Sequence, residues 1–242
     1  MTKWAVELKD VKKTYRTGPI EVPALRGISL RVAPGEFLAI AGSSGSGKTT
    51  LLNIVGGLDR ADTGEVLVED KNLQLLSAGE LARLRLQRLG FVFQAYNLLP
   101  VLTALENAEF TLLLQGVPAE SRKERVQKLF SEIGLAGLEN RRPGELSGGQ
   151  QQRVAVARAI VTEPALILAD ESTANLDSVT AAALLEVMEQ LNRSHGTTFV
   201  YATHDPLVME RARRLIRLHD GQIVSDVTRN KRAPNTQLRS AA

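Results

Sequence analysis

The segment from Gly42 to Thr49 constrains the fold of this chain more than any other. It reads Gly-Ser-Ser-Gly-Ser-Gly-Lys-Thr and fits the pattern G-x-x-x-x-G-K-[ST], which forms a phosphate-binding loop between a strand and a helix. The run at residues 36–41 before it predicts a buried strand, and the apolar residues after it predict a helix over residues 48–55. This context favours a phosphate loop over a glycine-rich surface loop.

The residue types in the loop suit the polyphosphate of a nucleotide. Glycine at positions 42, 45 and 47 lets the backbone take positive φ and turn its N–H groups inward. Lys48 adds a positive charge near the β- and γ-phosphates, Thr49 offers a hydroxyl to Mg²⁺, and the helix N-terminus adds a favourable dipole. The residues expected to surround the nucleotide here are Gly42, Ser43, Ser44, Gly45, Ser46, Gly47, Lys48, Thr49 and Thr50.

The composition is typical of a globular protein. With 242 residues, 43% of them hydrophobic, the chain can bury a core as one domain or as one domain with an inserted lobe. It has no run of about eighteen apolar residues, and its N-terminus carries charge where a signal peptide would be apolar, so we expect a soluble, cytosolic protein. The absence of cysteine excludes a disulfide framework and thiolate catalysis.

The charge pattern does not favour a nucleic-acid partner. The formal net charge of +3 is small for this length, and basic residues are mixed with acidic ones. Basic residues concentrate near the C-terminus, at Arg229, Lys231, Arg232 and Arg239. We interpret residues 228–242 as a solvated, flexible tail rather than a contact for nucleic acid or lipid, and expect no specific nucleic-acid partner.

The chain alternates between strand and helix signals, with one helical interruption. Strands are predicted at residues 5–11, 24–32, 37–41, 65–68, 166–169, 197–202, 214–218 and 222–224, and helices at 98–114, 121–133, 150–160 and 181–192. The pattern predicts an α/β fold of the P-loop NTPase (RecA-like) class, with a mainly parallel sheet and an N-terminal antiparallel β subdomain. The core would comprise about residues 1–95 and 154–227 of one domain over 1–227, with a helical lobe over about 96–153.

A second strand of interest ends in two carboxylates. The apolar run at residues 165–169 reads as a central parallel strand, and Asp170 and Glu171 follow at its carboxyl end, where open α/β sheets bind ligands. Asp170 would face the Mg²⁺ shell held by Thr49. Glu171 would polarise the attacking water, because phosphoanhydride hydrolysis needs a positioned nucleophile and charge neutralisation.

A second glycine-rich element lies at residues 146–150. Ser147 is a natural helix N-cap, Gly148 and Gly149 permit close backbone approach, and a strong helix begins at Gln150. This N-terminus is suited to a second phosphate contact, and a helix cap without a ligand is the alternative. If each nucleotide needs both elements, a head-to-tail homodimer with two nucleotides at its interface follows as a hypothesis.

Over residues 4–226, the chain resembles the ATP-binding subunit of ABC transporters. The matching motifs, in the family's order, are Gly42 to Thr49, Gln94, Leu146 to Gln150, Leu168 to Glu171, Asn175-Leu176-Asp177 and Thr203-His204-Asp205. The resemblance implies ATP with Mg²⁺, stacking of Tyr15 on adenine, and contacts of Gln94 with Mg²⁺ and the γ-phosphate. It also implies that Asp177 lies at the dimer seam and that His204 hydrogen-bonds the γ-phosphate, with Lys48, Glu171 and His204 as the catalytic set.

Other segments are similar to the branch of lipoprotein-release and macrolide-export ATPases. They are residues 25–30, 57–59, 90–100 and 102–107. In that branch the ATPase pairs with an integral membrane permease that has a large extracytoplasmic domain, which implies a location on the cytoplasmic face of the inner membrane. The apolar stretch at residues 96–105 is either a groove for a cytoplasmic helix of that partner or part of the helical-lobe core.

The chain departs from the family pattern after Glu171, because Ser172 and Ala174 stand where the family usually has proline and glycine. Neither change removes a ligand, so hydrolysis is still expected. Alternatives are an importer ATPase and a DNA- or ribosome-directed relative, although the chain lacks the long coiled coil of DNA-repair relatives and the second cassette of ribosome-bound ones. A small-molecule kinase would lack the element at residues 146–150.

Overall fold

The computed structural model describes residues 3–229, which form ten strands and seven α-helices. The strands are β1 Val6–Thr17, β2 Ile20–Val32, β3 Phe37–Ala41, β4 Thr63–Val68, β5 Lys71–Asn72, β6 Leu89–Val92, β7 Leu166–Asp170, β8 Thr198–Thr203, β9 Arg214–His219 and β10 Gln222–Thr228. The helices are α1 Lys48–Val55, α2 Ala78–Arg88, α3 Ala104–Leu114, α4 Ala119–Glu132, α5 Gly148–Ile160, α6 Ser178–His195 and α7 Pro206–Arg211. Two short 3-10 turns lie at Leu73–Leu75 and Pro143–Glu145.

The central sheet has six strands in the order β10-β9-β3-β8-β7-β6. All neighbouring pairs are parallel except β10 with β9, as the predicted mainly parallel sheet requires. Because parallel strands end at the same edge, the segments that follow β3, β6, β7 and β8 meet at one edge of the sheet. That edge holds the phosphate loop and the two carboxylates.

Both faces of this sheet are buried, which explains why its central strands are continuous apolar runs. On β3, Leu38 and Ile40 pack into a cluster with α1, α2 and the antiparallel sheet. Phe37 and Ala39 of the same strand face a second cluster, which includes residues of α3 to α7. The alternation places the phosphate loop at the junction of two well-packed layers.

The predicted N-terminal antiparallel subdomain is confirmed as a sheet in the order β2-β1-β4-β5. Its first hairpin is longer than predicted: the strands expected at residues 5–11 and 24–32 extend to Thr17 and back to Ile20. Tyr15 pairs with Val22 in the added part. The strand signal is weak there because Ile20 and Val22 are exposed and stand among Gly18, Pro19 and Pro23, which are typical of turns.

The helices α3, α4 and α5 pack against one another and share a hydrophobic cluster with the central sheet. Leu112 of α3, Phe130 of α4 and Val154 of α5 belong to the same cluster as Phe199 of β8. The packing of these helices is thus continuous with one face of the sheet. The proposed limits of a separate helical lobe, residues 96–153, stay a prediction.

Several predicted helix limits were wrong. The helix expected over residues 98–114 begins at Ala104, because Thr103 and Glu106 form a capping box at its start. Helix α2 was not predicted, although Ser77 and Glu80 give it the same cap, since its apolar residues are few. Helix α6 runs from Ser178 to His195 instead of 181–192. The short helix α7 was also missed.

Within residues 3–229, no helix combines the length and the hydrophobicity that crossing a membrane requires. Of the basic residues assigned to a flexible tail, Arg229 is described, and its Nη1 donates to the carbonyl oxygen of Met209 at 2.9 Å. Lys231, Arg232 and Arg239 lie outside the described residues.

Candidate nucleotide-binding site

The loop between β3 and α1 has the backbone that its glycines predict. Gly47 caps α1 with φ of 102°, and no side chain accepts a hydrogen bond from the first N–H groups of the helix. A Cβ atom at Gly42 would lie 2.4 Å from the carbonyl oxygen of Leu218, and one at Gly47 would lie 2.5 Å from that of Ala24. Glycine is therefore required here by close packing as well as by φ.

The Lys48 side chain folds back over the start of the phosphate loop. It is 5% exposed, and Nζ donates to the carbonyl oxygens of Gly42 at 2.8 Å and Ser43 at 3.0 Å. The nearest carboxylate oxygen, Oε1 of Glu171, lies 3.9 Å from Nζ. A buried ammonium held mainly by neutral carbonyls, beside open helix N–H groups, creates a strongly anion-attracting environment.

Asp170 ends β7 as predicted and lies beside the first turn of α1. Burial raises the pKa of Asp170, a hydrogen bond with Thr49 opposes this rise, and the neighbouring Glu171 carboxylate adds to it. Among residues 3–229, its Oδ1 atom is buried and has no hydrogen-bond partner. A partly buried carboxylate with one unpartnered oxygen, next to a threonine hydroxyl, is a fitting oxygen ligand set for Mg²⁺.

Few protein ligands surround this position. Among residues 3–229, no group of three or more His, Asp or Glu side chains could hold a metal ion by itself. Mg²⁺ commonly keeps several waters and is held by one or two carboxylates together with substrate phosphates. The donor set therefore fits an ion that arrives with a nucleotide.

Glu171 and His204 are brought together from two neighbouring strands, β7 and β8. Oε1 of Glu171 lies 3.0 Å from Nδ1 of His204, and the Glu171 backbone N–H donates to the carbonyl of Ala202 at 2.9 Å. Glu171 adopts φ of 46°, an unusual value for a non-glycine residue. This backbone turns the carboxylate towards Lys48 and His204, where it can accept a proton.

The turn after Glu171 is fixed by hydrogen bonds. Ser172, at the position of the expected proline, is 3% exposed, so this departure changes the interior rather than the surface. The Thr173 hydroxyl donates to Oδ2 of Asp205 at 2.9 Å, and Asp205 caps α7. The turn is thus tied to the segment that carries His204.

Gln94 follows β6 and is exposed at the same edge of the sheet. Its backbone carbonyl accepts a hydrogen bond from Nδ2 of Asn175 at 3.1 Å. This contact joins the loop after β6 to the turn after β7. The structure thus places Gln94 beside the segment of Asp170 and Glu171, and its contact with Mg²⁺ and the γ-phosphate stays a prediction.

Tyr15 is 40% exposed and lies on β1, next to the helix that follows the phosphate loop. Its hydroxyl donates to Oδ2 of Asp59 at 2.8 Å. Burial raises the pKa of Tyr15, and a hydrogen bond with Thr50 acts in the opposite direction. The contact with Thr50 places the ring beside the first turn of α1.

The second glycine-rich element is a helix N-terminus with a capping box. The Ser147 hydroxyl accepts from the Gln150 N–H at 3.3 Å, and the Gln150 side chain accepts from the Ser147 N–H at 2.9 Å. A Cβ atom at Gly148 would lie 2.8 Å from the Tyr96 hydroxyl, and one at Gly149 would lie 2.3 Å from Cγ2 of Thr180. Packing therefore favours glycine most strongly at position 149, because the Tyr96 hydroxyl beside Gly148 is the end of a longer side chain.

Asp177 lies next to this element, because Gly149 of α5 packs against Thr180 of α6. Its carboxylate caps α6 by accepting from the N–H groups of Val179 and Thr180, each at 3.0 Å. Within residues 3–229, no hydrogen bond joins the 42–50 loop to residues 147–150. The chain therefore has two separate glycine-rich helix N-termini.

Sequence reasoning missed some contacts that shape the site. Asp59 and Lys13 hold Tyr15, and Asn175 holds the Gln94 loop. Asp59 and Asn175 stand in segments noted above, residues 57–59 and 175–177, but those segments did not indicate these contacts. The contacts join residues far apart in the chain, which local patterns do not show.

The strand, phosphate loop and helix, followed by a buried strand that ends in Asp-Glu, define a P-loop nucleotide-binding protein. A family model described as ABC transporter matches residues 25–174, more than half of the chain. The chain therefore belongs to the ABC transporter family, as one of its ATPase cassettes.

Two relatives illustrate the similarity. The chain is 47% identical over 221 residues to an uncharacterized ABC transporter ATP-binding protein of Thermotoga maritima, which covers 91% of this chain and 94% of the relative. It is 48% identical over 220 residues to the macrolide export ATP-binding/permease protein MacB of Syntrophobacter fumaroxidans, with 90% of this chain and 31% of that protein covered. The chain thus spans about a third of such export proteins, and the predicted resemblance to their branch is confirmed.

Solved structures agree with the fold. A dimeric ATP-binding cassette in a post-hydrolysis state, bound to ADP and Pi, matches with a TM-score of 0.85 and 41% identity over 92% of this chain and 98% of the other. The CbiO1 cassette of Clostridium perfringens matches with a TM-score of 0.85 and 26% identity over 93% of this chain. The predicted P-loop α/β fold is confirmed.

Proposed function

We propose that two copies of this cassette bind two molecules of ATP between them, head to tail, and that ATP hydrolysis drives a membrane permease. The observation that carries the proposal is the pair of separate glycine-rich helix N-termini, at α1 and α5. A solved relative with 41% identity is a dimer bound to ADP and Pi, which supports this arrangement. In the proposed dimer, residues 45–50 of one copy and residues 147–150 of the other would bind each nucleotide.

The α1 end is proposed to hold the phosphates. The N–H groups of the 42–50 loop and the Lys48 ammonium bind the β- and γ-phosphates, while the Tyr15 ring stacks on adenine. Thr49, Asp170 and Gln94 would hold Mg²⁺, which neutralises charge on the phosphates when it is bound. From the second copy, Ser147 and the neighbouring Gly148, Gly149 and Gln150 contact the γ-phosphate, with Asp177 at the seam.

Hydrolysis is proposed to depend on Glu171 and His204. Glu171 orients the attacking water and accepts its proton, since its carboxylate is held at the sheet edge 3.0 Å from Nδ1 of His204 and 3.9 Å from the Lys48 ammonium. His204 is 62% exposed, which leaves its ring free to donate to the γ-phosphate oxygen that becomes more negative during P–O cleavage. Lys48 stabilises the same developing charge.

The permease is proposed to dock in a cavity beside the Gln94 loop. Leu58, Leu86, Phe91, Phe93, Thr111 and Arg158 contribute to its lining. The relatives named ATP-binding/permease proteins are about three times as long as this chain, so a permease portion is the natural occupant. Arg158 is among the lining residues, and burial lowers its pKa. A cytoplasmic helix with apolar residues and one acidic residue would fit this lining.

The stretch at residues 96–105, predicted as a groove or as part of the core, contributes Asn97 to the lining of this cavity. Leu98 packs against the core, whereas Leu99 is 40% exposed and Val101 is 73% exposed. Leu98 fits the core alternative, and the groove for a partner helix stays a proposal that the exposed Leu99 and Val101 support. We propose an exporter or lipoprotein-release transporter at the cytoplasmic face of the inner membrane, with a permease that bears an extracytoplasmic domain.

The test is to purify Glu171→Gln protein and measure its mass by light scattering with ATP and Mg²⁺. We expect a stable dimer with ATP and a monomer with ADP, and turnover lower than wild type by about 100-fold or more, because the general base is lost. A variant that stays monomeric with ATP would contradict the dimer. A wild-type chain without phosphate release would contradict hydrolysis.

The same variant identifies the partner when it is expressed with a tag and its membranes are solubilised with ATP and Mg²⁺. A permease with few spans and a large extracytoplasmic domain would support export or release, whereas a many-span permease would indicate import. Ribosomes or DNA would overturn the transport proposal. Adding Leu58→Glu should abolish capture, and Leu75→Glu, at a position that is 82% exposed and outside the cavity lining, serves as the matched control.

A further inference from the structure

Three polar side chains, which we call the Asp59 cluster, join β1 to the loop after α1. The cluster consists of Lys13, Tyr15 and Asp59. Oδ1 of Asp59 accepts from Nζ of Lys13 and Oδ2 accepts from the Tyr15 hydroxyl, both at 2.8 Å. Both carboxylate oxygens are therefore used, and one of them fixes the position of the phenol.

Two members of the cluster are partly shielded from solvent. The side chains of Lys13 and Asp59 are 13% and 28% exposed. Burial alone would raise the pKa of Asp59, but the hydrogen bonds from Lys13 and Tyr15 outweigh it, so the net shift is downward. The carboxylate is thus charged at neutral pH and remains a strong acceptor for the phenol.

Other contacts limit the movement of each member. Lys13 also donates to the Arg60 carbonyl at 2.8 Å, and Oδ2 of Asp62 accepts from the Thr14 N–H at 2.6 Å. The Asp59 carboxylate itself accepts from the Arg60 N–H at 2.7 Å. The loop after α1 is therefore locked to the strand that carries Tyr15.

The cluster fixes the orientation of the Tyr15 ring. Its hydroxyl is held by Asp59, and Nζ of Lys13 lies 5.2 Å from the ring centroid. Val22 pairs with Tyr15 across the hairpin and is 53% exposed, so the two side chains form one apolar surface. A ring that is immobilised before binding loses less conformational freedom when a base stacks on it.

We propose that Asp59 is a positioning residue for the nucleotide base, which holds the Tyr15 ring in the orientation that stacks on adenine. The inference rests on the proposed function, because it requires that Tyr15 contact the base. Asp59 is assigned no contact with ATP itself. Its effect should therefore depend on the presence of a base in the ligand, and on the hydroxyl of Tyr15.

The test compares ATP with inorganic tripolyphosphate, which has no base, by calorimetry with Mg²⁺. In Asp59→Ala, we expect ATP affinity to fall about tenfold, within the range of base–aromatic stacking, and tripolyphosphate affinity to stay unchanged. KM for ATP should rise while kcat stays the same. Asp59→Asn keeps an acceptor for the phenol and should retain most of the affinity.

Two further variants make the result specific. Tyr15→Phe should lower ATP affinity as Asp59→Ala does, and the two losses should not add fully in the double variant, because both changes remove the Tyr15–Asp59 hydrogen bond. Glu65→Ala is the control, because it breaks a different ion pair of β1, in which Nζ of Lys9 lies 2.8 Å from Oε2 of Glu65. It should leave the affinities for ATP and for tripolyphosphate unchanged.

Three outcomes would overturn the inference. A parallel loss of ATP and tripolyphosphate affinity would show that Asp59 only supports the fold of the loop. Unchanged ATP affinity in Asp59→Ala, with normal binding by the wild type, would overturn this inference alone. A wild-type chain that binds tripolyphosphate but gains nothing from the base would overturn the role of Tyr15 and this inference with it.

Discussion

The two glycine-rich helix N-termini look alike in sequence but differ in structure. At α1, Gly47 provides no side-chain acceptor, and among residues 3–229 the nearby atoms Ser46 Oγ and Asp170 Oδ1 are buried without hydrogen-bond partners. At α5, Ser147 and Gln150 satisfy each other's N–H groups. The first end thus has no capping side chain, whereas the second has a capping box that satisfies two N–H groups.

This difference indicates two distinct roles. An N-terminus without a cap leaves N–H groups that a phosphate can satisfy, so α1 is suited to bind an anion by itself. An N-terminus with a capping box gains stability from its own side chains. The capping box does not use the N–H groups of Gly148 and Gly149, which would add contacts to the phosphate in the proposed dimer.

The largest effect should come from Lys48→Ala at the open end. The Lys48 ammonium is buried in the loop proposed to bind the phosphates. Loss of its charge-assisted hydrogen bonds should weaken ATP binding by a monomer on the order of 100-fold. Calorimetry at protein concentrations below dimer formation measures this change. Ser147→Ala is the control and should bind ATP as the wild type does under those conditions. Equal losses in both variants would remove the distinction.

A smaller effect is expected from Ser147→Ala on stability. The variant loses a helix N-cap, which typically contributes about 1 kcal/mol, so the nucleotide-free chain should melt about 2–4 °C lower. Circular dichroism at 222 nm follows the transition. Ser43→Ala, in the uncapped loop, is the matched control and should melt as the wild type does. A Ser147→Ala protein of unchanged stability would show that the capping box does not matter.

The smallest effect, of opposite sign, is expected from Asp170→Asn. The folded state raises the pKa of Asp170 above 3.8, so folding disfavours the ionised form at neutral pH, and removing the charge should raise the melting temperature of the nucleotide-free chain. The penalty is present above the raised pKa and disappears as pH falls below 3.8. Scanning fluorimetry from pH 4 to 8 should therefore show the two proteins converging at the acid end. A variant that melts lower than wild type at pH 7 would contradict this sign.

The sequence predicted the parts of the site that local segments determine. The phosphate loop, Lys48 and the carboxylates of Asp170 and Glu171 lie where their motifs place them, because each follows a buried strand of one parallel sheet. The proximity of Glu171 and His204 follows from the adjacency of β7 and β8. The order of strands in the sheet brings these residues together.

Features that depend on distant residues could not be predicted. The close approach of Gly149 to Thr180 and the bond of Asp59 to Tyr15 join segments that are separate in the chain. Helix α2 was missed because only Leu81 and Leu84 are buried on it, so its apolar period is short. Ser77 and Glu80 match a capping box, but a capping box without a strong apolar stripe does not by itself predict a helix.

The turn before α3 has a consequence for association with a membrane partner. Asn107 is fully buried, its Oδ1 accepts from the Leu99 N–H at 2.7 Å, and its Nδ2 lies within hydrogen-bond distance of the carbonyls of Leu99, Leu102 and Thr103. The exposed side chains of Leu99 and Val101 thus lie on a backbone whose conformation the Asn107 amide fixes. If the cytoplasmic helix of the proposed permease binds this turn, the turn loses little conformational entropy, and more of the apolar burial contributes to affinity.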